Sequence, residues 1–496
     1  MKNNTFDNRN FTLLTDFYEL TMMQGYFAEG RKERVVFDAF YRSNPCGGGY
    51  AVAAGLESIV NYIKDLHFTK EDVDYLRETG KYIQDGIEKN CFTEEFLNYL
   101  ANFKFTGDVY AIPEGTIIHP MEPIVKVVAP IVEAQLVETA ILNFMNHQSL
   151  IATKAARVCY AADGAPVMEF GLRRAQGPDA GTYGARATII TGCAGTSNVV
   201  SAQQFGLKCL GTHAHSWIMS FPDEYTAFKT YAKYFPNNVT LLVDTYNVLK
   251  SGVPNAIKVF QEMKDEGITP LSYGIRIDSG DLAYLSKKAR EMLDTAGFTD
   301  AKICVSSDLD EYLIQSLKRQ GCAIDSWGVG TNMITAADNP AFGGVYKLSA
   351  VEKDGEFIPK IKLSENPIKV TNPGNKTVFR IYDKNSDKAL ADVIALAGET
   401  LSEDGLVITD PVDRWKKKKF NAGEYRVEEI LIPIFKNGKC VYELPSMPEI
   451  QARFKKEFAS LWNEVKRFEN PAKYYVDLSD NLYKVKMDLI EKESNV

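Results

Sequence analysis

Six short apolar, β-branched runs alternate with helical stretches between residues 167 and 331: VMEF (167–170), KCLGT (208–212), LLVDTY (241–246), YGIRID (273–278), ICVSSD (303–308) and SWGVGT (326–331). Their ends, taken at residues 169, 212, 244, 278, 307 and 331, lie 43, 32, 34, 29 and 24 residues apart. Those are the lengths of strand-plus-helix units, and a helix between two strands makes them parallel neighbours. The alternation predicts a barrel or a doubly wound sheet. The interludes 253–267, 281–297 and 308–321 each carry an apolar stripe at helical spacing and each close on glycine, the C-cap residue. Two of them open with Asp at or near the N-cap.

The flanks read differently. LLTDFYELTMMQGYF (13–27) has helical spacing, VVFDAFYR (35–42) is strand-like, and helical stretches follow near 55–65 and 93–103. Short strands broken by proline and glycine fill 105–130. After 345, VYKLSAVEKDGEFIPKIKLS predicts a hairpin turning at Asp354-Gly355, residues 376–435 read as β-rich, and 449–491 as helical. Three regions are expected: an N-terminal α+β lobe at 1–135, an α/β barrel with the active site at 136–350, and a C-terminal region at 351–496 that partly rejoins the lobe.

Composition narrows the function. A net charge of −8 with pI near 5.5 argues against general nucleic-acid binding, so any phosphate recognition has to be a local pocket. The basic run Lys416–Lys419 reads as a solvated face. The eight cysteines are scattered without a C-x-x-C pair, which suits a reducing cytoplasm and offers no zinc site. The polar start MKNNTFDNRN and the lack of an 18-residue apolar run predict a cytoplasmic protein without a membrane span.

Every one of the six run ends is polar: Glu169 with Arg173-Arg174; Thr212, His213 and His215; Asp244 with Thr245; Arg276, Asp278 and Asp281; Ser306, Ser307 and Asp308; Gly328, Gly330 and Thr331. In such folds the carboxyl ends of the strands carry the chemistry. Arginines supply forked donors for phosphate or carboxylate, and glycine turns let backbone N–H groups approach a phosphate. Asp244 and Asp278 end apolar strands, where they could orient arginines or a ribose, help hold Mg²⁺ beside a diphosphate, or cap helices; capping suits Asp281 better. A histidine at such an end can be a base, a metal ligand or a phosphate acceptor. Together the ends form a site for a phosphorylated, anionic substrate.

With these residues the chain resembles the nicotinate phosphoribosyltransferase family. The resemblance runs through LLTDFYELTM (13–22), EFGLRRAQGPDA (169–180), GTHAHSW (211–217), LLVDTYN (241–247), GIRIDSGDL (274–282), GVGTNMITA (328–336) and GGVYKLSAV (343–351). It implies an irregular, incomplete parallel α/β barrel of the type II phosphoribosyltransferase kind with an N-terminal α+β lobe. It also implies ATP-coupled transfer of phosphoribose from phosphoribosyl pyrophosphate to nicotinate in NAD salvage, with Mg²⁺ present and the metal ligands unassigned. His215 would be the phosphorylated histidine, acting with Arg276, Asp278 and Asp244. Nicotinate would meet Phe170, Arg173, Ser197, Thr212 and Arg276, with Tyr18 supplied by the second subunit of a homodimer. Phosphoribosyl pyrophosphate would meet Arg174, Asp278, Ser307, Asp308, Gly330, Thr331 and Gly344.

Rival readings make distinct demands. A nicotinamide enzyme of related sequence is expected to place an acidic residue where Ser197 stands, and an aspartate there would repel a carboxylate. A sugar-phosphate lyase wants a Schiff-base lysine at a strand end, and none of the six ends has one; Lys347 follows a glycine turn instead. A non-catalytic homologue would be expected to have lost His215 or Arg276, and both are present.

Overall fold

The computed structural model describes residues 9–366, 369–413 and 415–494, so most of the polar start lies outside the described residues. The chain forms two compact units, one from 1–150 with 341–496 and one from 151–340. The region expected as C-terminal therefore belongs with the N-terminal lobe.

The second unit is built on a six-stranded parallel sheet, in the order Asn238–Leu242, Ser272–Ile277, Lys302–Val305, Ser326–Val329, Val167–Glu169, Gly195–Thr196. Its strands are short and apolar because both faces are covered; Leu241, Ile275, Ile277, Ile303, Val305 and Val329 are all fully buried. The connecting helices start and stop as expected. Asp281 and Asp310 accept the N–H groups of Tyr284 and Leu313 as N-caps, and Gly267, Gly297 and Gly321 follow the helix ends at φ +75°, +85° and +70°.

One expected strand is absent. KCLGT (208–212) forms no ladder: Cys209 makes a single parallel bridge to Thr196, which itself sits on the short sixth strand Gly195–Thr196. The segment then crosses toward the opposite edge, where the His213 ring, not backbone, takes the Leu242 N–H at 3.3 Å. A side chain thus substitutes for ladder bonds, and the barrel is incomplete at this point.

The first unit is largely antiparallel. Its seven-stranded sheet runs Glu356–Pro359, Gly344–Lys353, Arg34–Tyr41, Val125–Pro130, Asp108–Ala111, Ile432–Lys436, Lys439–Cys440, so residues from both ends of the chain share one sheet. The Asp354-Gly355 hairpin forms with both turn residues at positive φ, the geometry that suits a right-twisted ribbon. A second six-stranded sheet contains Lys376–Asp383 paired with Ala389–Leu396. The 449–491 stretch is not continuously helical. Helices Met447–Ser460 and Asp480–Ser494 flank irregular chain and the strand Val476–Leu478, which pairs with Ala389–Leu396. Among the described residues no helix is long and apolar enough to cross a membrane, and none of the eight cysteines forms a disulfide.

Candidate active site

The carboxyl ends of the parallel strands line a cleft of about 210 Å³ bounded by Phe170, Arg173, Arg174, Arg276, Asp278, Ser306, Ser307, Asp308, Gly328, Gly330 and Thr331. Arg276 organises it. From the end of the Ser272–Ile277 strand its guanidinium donates to Ser306 Oγ at 2.8 Å, Thr212 Oγ1 at 3.0 Å and Asp278 Oδ1 at 3.0 Å. Three loops are tied to one planar cation, whose side chain remains 14% exposed. The Ser306 hydroxyl also donates to Asp278 Oδ1. Behind them Asp244 Oδ2 accepts the Asp278 N–H at 3.1 Å and the Ser279 hydroxyl at 2.6 Å, while Asp244 Oδ1 is buried and unpartnered.

The two histidines separate. His213 is buried between the Leu242 N–H and the ring of Tyr231, with centroids 4.7 Å apart. His215 stands at the rim with its side chain 40% exposed, Nδ1 3.0 Å from Thr245 Oγ1 and Nε2 3.8 Å from Asp278 Oδ2. Only His215 is positioned to meet a ligand.

Phe170 follows the buried Glu169, whose carboxylate accepts from the Gly171 N–H and the Thr196 hydroxyl; burial pushes this carboxyl upward in pKa. The Phe170 N–H donates to Val329 O at 2.8 Å, which fixes the ring against the neighbouring strand. A Cβ at Gly328 would fall 2.8 Å from two Phe170 ring carbons, and one at Gly330 would lie 3.2 Å from Phe170 O. Both glycines, expected as phosphate turns, thus also make room for Phe170. The Arg276 guanidinium carbon lies 5.8 Å from that ring's centroid. Ser307 holds φ +113°, a region costly for a residue with a side chain and one that clusters at functional turns.

The structure thus gathers nine of the expected residues on one cleft: Phe170, Arg173, Arg174, Arg276, Asp278, Ser307, Asp308, Gly330 and Thr331. Thr212, His215 and Asp244 join it through Arg276 and Asp278. Ser197 does not line this cleft; its N–H donates to Glu169 O at 3.0 Å. Tyr18 and Gly344 lie in the first unit. Tyr18 is 46% exposed on helix Phe17–Ala28, and a Cβ at Gly344 would strike Asn146 Oδ1 at 2.0 Å, a local reason for glycine there.

Family models match nearly the whole chain. The chain matches the nicotinate phosphoribosyltransferase (NAPRTase) N-terminal domain over 13–146, the family's central model over 166–394 and its C-terminal domain over 375–486. It is 44% identical to a nicotinate phosphoribosyltransferase of Bacillus subtilis, covering 98% of this chain and 96% of the relative. The chain belongs to the nicotinate phosphoribosyltransferase family. Its human member is 31% identical over 95% of both chains. The crystal structure of human nicotinic acid phosphoribosyltransferase matches with TM-score 0.82 at 29% identity, covering 96% of this chain and 99% of that one. A nicotinate-nucleotide pyrophosphorylase from Pyrococcus furiosus matches with TM-score 0.67 at 25% identity, over 92% and 99%. The fold is accordingly the α/β half-barrel with an N-terminal α+β lobe expected from the resemblance, and the protein is an enzyme.

In this family member some supporting residues are invisible to motif reading. Glu311, fully buried just after the Ser306–Asp310 turn, pairs with Lys154 at 2.7 Å and Arg157 at 2.6 Å, and Lys154 also reaches Asp338 at 2.8 Å. The Asn332 amide donates to Asp308 O at 2.9 Å and so joins the two phosphate-loop candidates. The one sequence signal was a pair of cations, Lys154 and Arg157, in an otherwise apolar helical run.

His213 also makes stability depend on pH. Burial lowers its pKa from 6.5 to about 4, so between those values the unfolded chain binds a proton that the folded chain does not. Its contribution is complete above pH 6.5 and drains away as pH falls toward 4. Buried His119, lowered to about 3, acts in the same direction. The melting temperature should fall from pH 7 to pH 4, and His213→Gln should flatten that slope, steepest near pH 5. Parallel slopes for the two proteins would rule His213 out.

Proposed function

We propose that this enzyme transfers the phosphoribosyl group of phosphoribosyl pyrophosphate to nicotinate, giving nicotinate mononucleotide and pyrophosphate for NAD salvage, with ATP hydrolysis coupled through a phosphate on His215. The observation that carries this is the cleft itself: Arg276 bonded to three loops beside a flat aromatic face, with Arg173 and Arg174 on the same rim. The pyridine nitrogen attacks the ribose C1 as the C1–O bond to pyrophosphate breaks, through an oxocarbenium-like state. That nitrogen is already nucleophilic, so orientation and stabilisation of the departing diphosphate do the catalytic work. Phe170 offers a stacking face for the ring, with Arg276, Arg173 and Thr212 toward its carboxylate. Arg174, Ser307, Asp308, Gly330 and Thr331 are assigned to the phosphoribosyl diphosphate.

Magnesium fits as an ion carried by the diphosphate. Among the described residues no cluster of three His, Cys, Asp or Glu side chains forms a metal cage. Mg²⁺ usually keeps its waters and takes one or two carboxylates beside substrate phosphates, and the unpartnered Asp244 Oδ1 with Asp278 supplies that donor type. The bound ion would neutralise charge on the leaving group.

For His215, Nε2 lies 3.8 Å from the Asp278 carboxylate, close enough for that charge to stabilise an imidazolium. Its Nδ1 is hydrogen-bonded to the Thr245 hydroxyl at 3.0 Å, a contact a phosphoryl group on that nitrogen would replace. Tyr18 would come from a second copy of the chain, as the resemblance implies. Phe17, Tyr18 and Met22, at 48%, 46% and 38% exposed on one helix, provide an apolar surface for such a homodimer.

Substrate choice is tested with nicotinate and nicotinamide in parallel. Mononucleotide should form from nicotinate, with nicotinamide at least about a hundredfold poorer, because an amide leaves the cationic groups unmatched. Faster turnover of nicotinamide would overturn the assignment and the reading of Ser197.

A further inference from the structure

The first unit holds a cavity of about 520 Å³ that shares no lining residue with the cleft. A void of that size lies within the range of small-molecule pockets and far exceeds a packing defect. Its polar lining is mostly cationic or neutral: Arg42, Lys473 and Lys486, with His119 and Asn372, against the carboxylate of Asp410. That carboxylate is already engaged, accepting the Val412 and Asp413 N–H groups at 2.8 and 2.9 Å and lying 3.7 Å from Lys473.

Among the described residues two of the cations, Lys486 and Arg42, face no carboxylate there. The Lys486 ammonium donates to the neutral Asn372 Oδ1 at 2.9 Å, and the charged group acting on it is another cation, Lys376. Arg42 Nε is buried without a partner. His119 is 1% exposed, yet neither ring nitrogen makes a well-formed hydrogen bond beyond a weak approach to the Gly49 backbone. Buried polar groups without partners are rare and call for a ligand or ordered water. The remaining walls are flat or apolar. The His119 ring lies on Tyr474 with centroids 3.8 Å apart and planes 9° apart, and Met121 packs with Ile394 and Leu478 across the same space.

We propose that this cavity is a second ligand site, for a small organic anion made of a flat apolar ring bearing a phosphate or carboxylate. The ring packs between the His119–Tyr474 pair and the Met121 wall. The anionic group meets Lys486 and Arg42, and the neutral imidazole supplies one hydrogen bond. This inference goes beyond the transferase reading and stands whether or not that reading holds.

Calorimetric titration of the full-length protein with phenyl phosphate tests it, with benzoate, inorganic phosphate and neutral benzyl alcohol as companions. Phenyl phosphate or benzoate should saturate one site that survives Arg276→Ala, which disables the cleft. Lys486→Met and His119→Phe should each weaken that binding about tenfold or more, the size of one charge-assisted hydrogen bond. Benzyl alcohol should fail to bind, and the stronger of the two ring anions identifies the head group. Turnover should be unchanged in Lys486→Met, which lies on a surface helix and keeps the fold testable if His119→Phe does not fold. Binding lost in Arg276→Ala and kept in Lys486→Met would put the anion in the cleft. Binding of inorganic phosphate alone, or no saturable binding by either ring anion, would leave the cavity to water; each of these results overturns the proposal.

Discussion

Arg276→Ala should lower kcat/KM by about a thousandfold while leaving the protein folded. The side chain makes three hydrogen bonds, one of them to a carboxylate, and they converge on the space a substrate would occupy. Each charge-assisted contact in a desolvated cleft contributes roughly 1.5–3 kcal/mol, so losing two toward the reacting groups amounts to about two to four powers of ten. The truncation also leaves Asp278 next to the incoming diphosphate without its neutralising partner. Arg276→Lys should recover only part of the loss, since an ammonium keeps the charge but cannot span Ser306, Thr212 and Asp278 at once. Steady-state kinetics with each substrate varied, alongside a melting curve, checks this. Activity of Arg276→Ala within about threefold of the parent would remove Arg276 from the site.

His215→Ala should abolish ATP coupling. Its side chain is 40% exposed, so stability should change by less than about 0.5 kcal/mol. Without the imidazole no available histidine remains beside Asp278, because His213 is buried and already holds the Leu242 N–H. ADP released per mononucleotide should fall at least about a hundredfold, with the rate in ATP dropping to the rate without it. Unchanged ADP per product would sink the role of His215 and leave the transfer chemistry untouched.

The parallel strands were legible because each is buried on both faces and so reads as a short apolar run bounded by polar residues. KCLGT has the same composition, yet its pairing is made by one bridge and the His213 ring, and composition does not distinguish a ladder from a single bridge. The helix Lys70–Glu78 escaped notice because KEDVDYLRE carries little apolar pattern; its usable signal was the Thr69–Asp72 capping box. In the site, Arg276 and Asp278 were legible as polar residues ending a strongly apolar strand. The different fates of His213 and His215 were not, because two residues apart at a turn the side chains diverge and only the fold decides which faces solvent. Gly328 was read as a phosphate turn. Its contact with Phe170 depends on the pairing of Gly328 with Met168 across the sheet, a non-local register. The Glu311–Lys154–Arg157 cluster is equally non-local, joining positions more than 150 residues apart.

The central claim is that this cleft joins phosphoribose to nicotinate at the cost of ATP. The direct test is a single reaction of the purified protein with Mg²⁺, phosphoribosyl pyrophosphate and nicotinate, run with and without ATP, counting mononucleotide, pyrophosphate and ADP. One pyrophosphate should form per mononucleotide, with ADP released in step when ATP is present. Mononucleotide formed at the same rate with no ADP would contradict the coupling, and no mononucleotide under either condition would contradict the transfer itself.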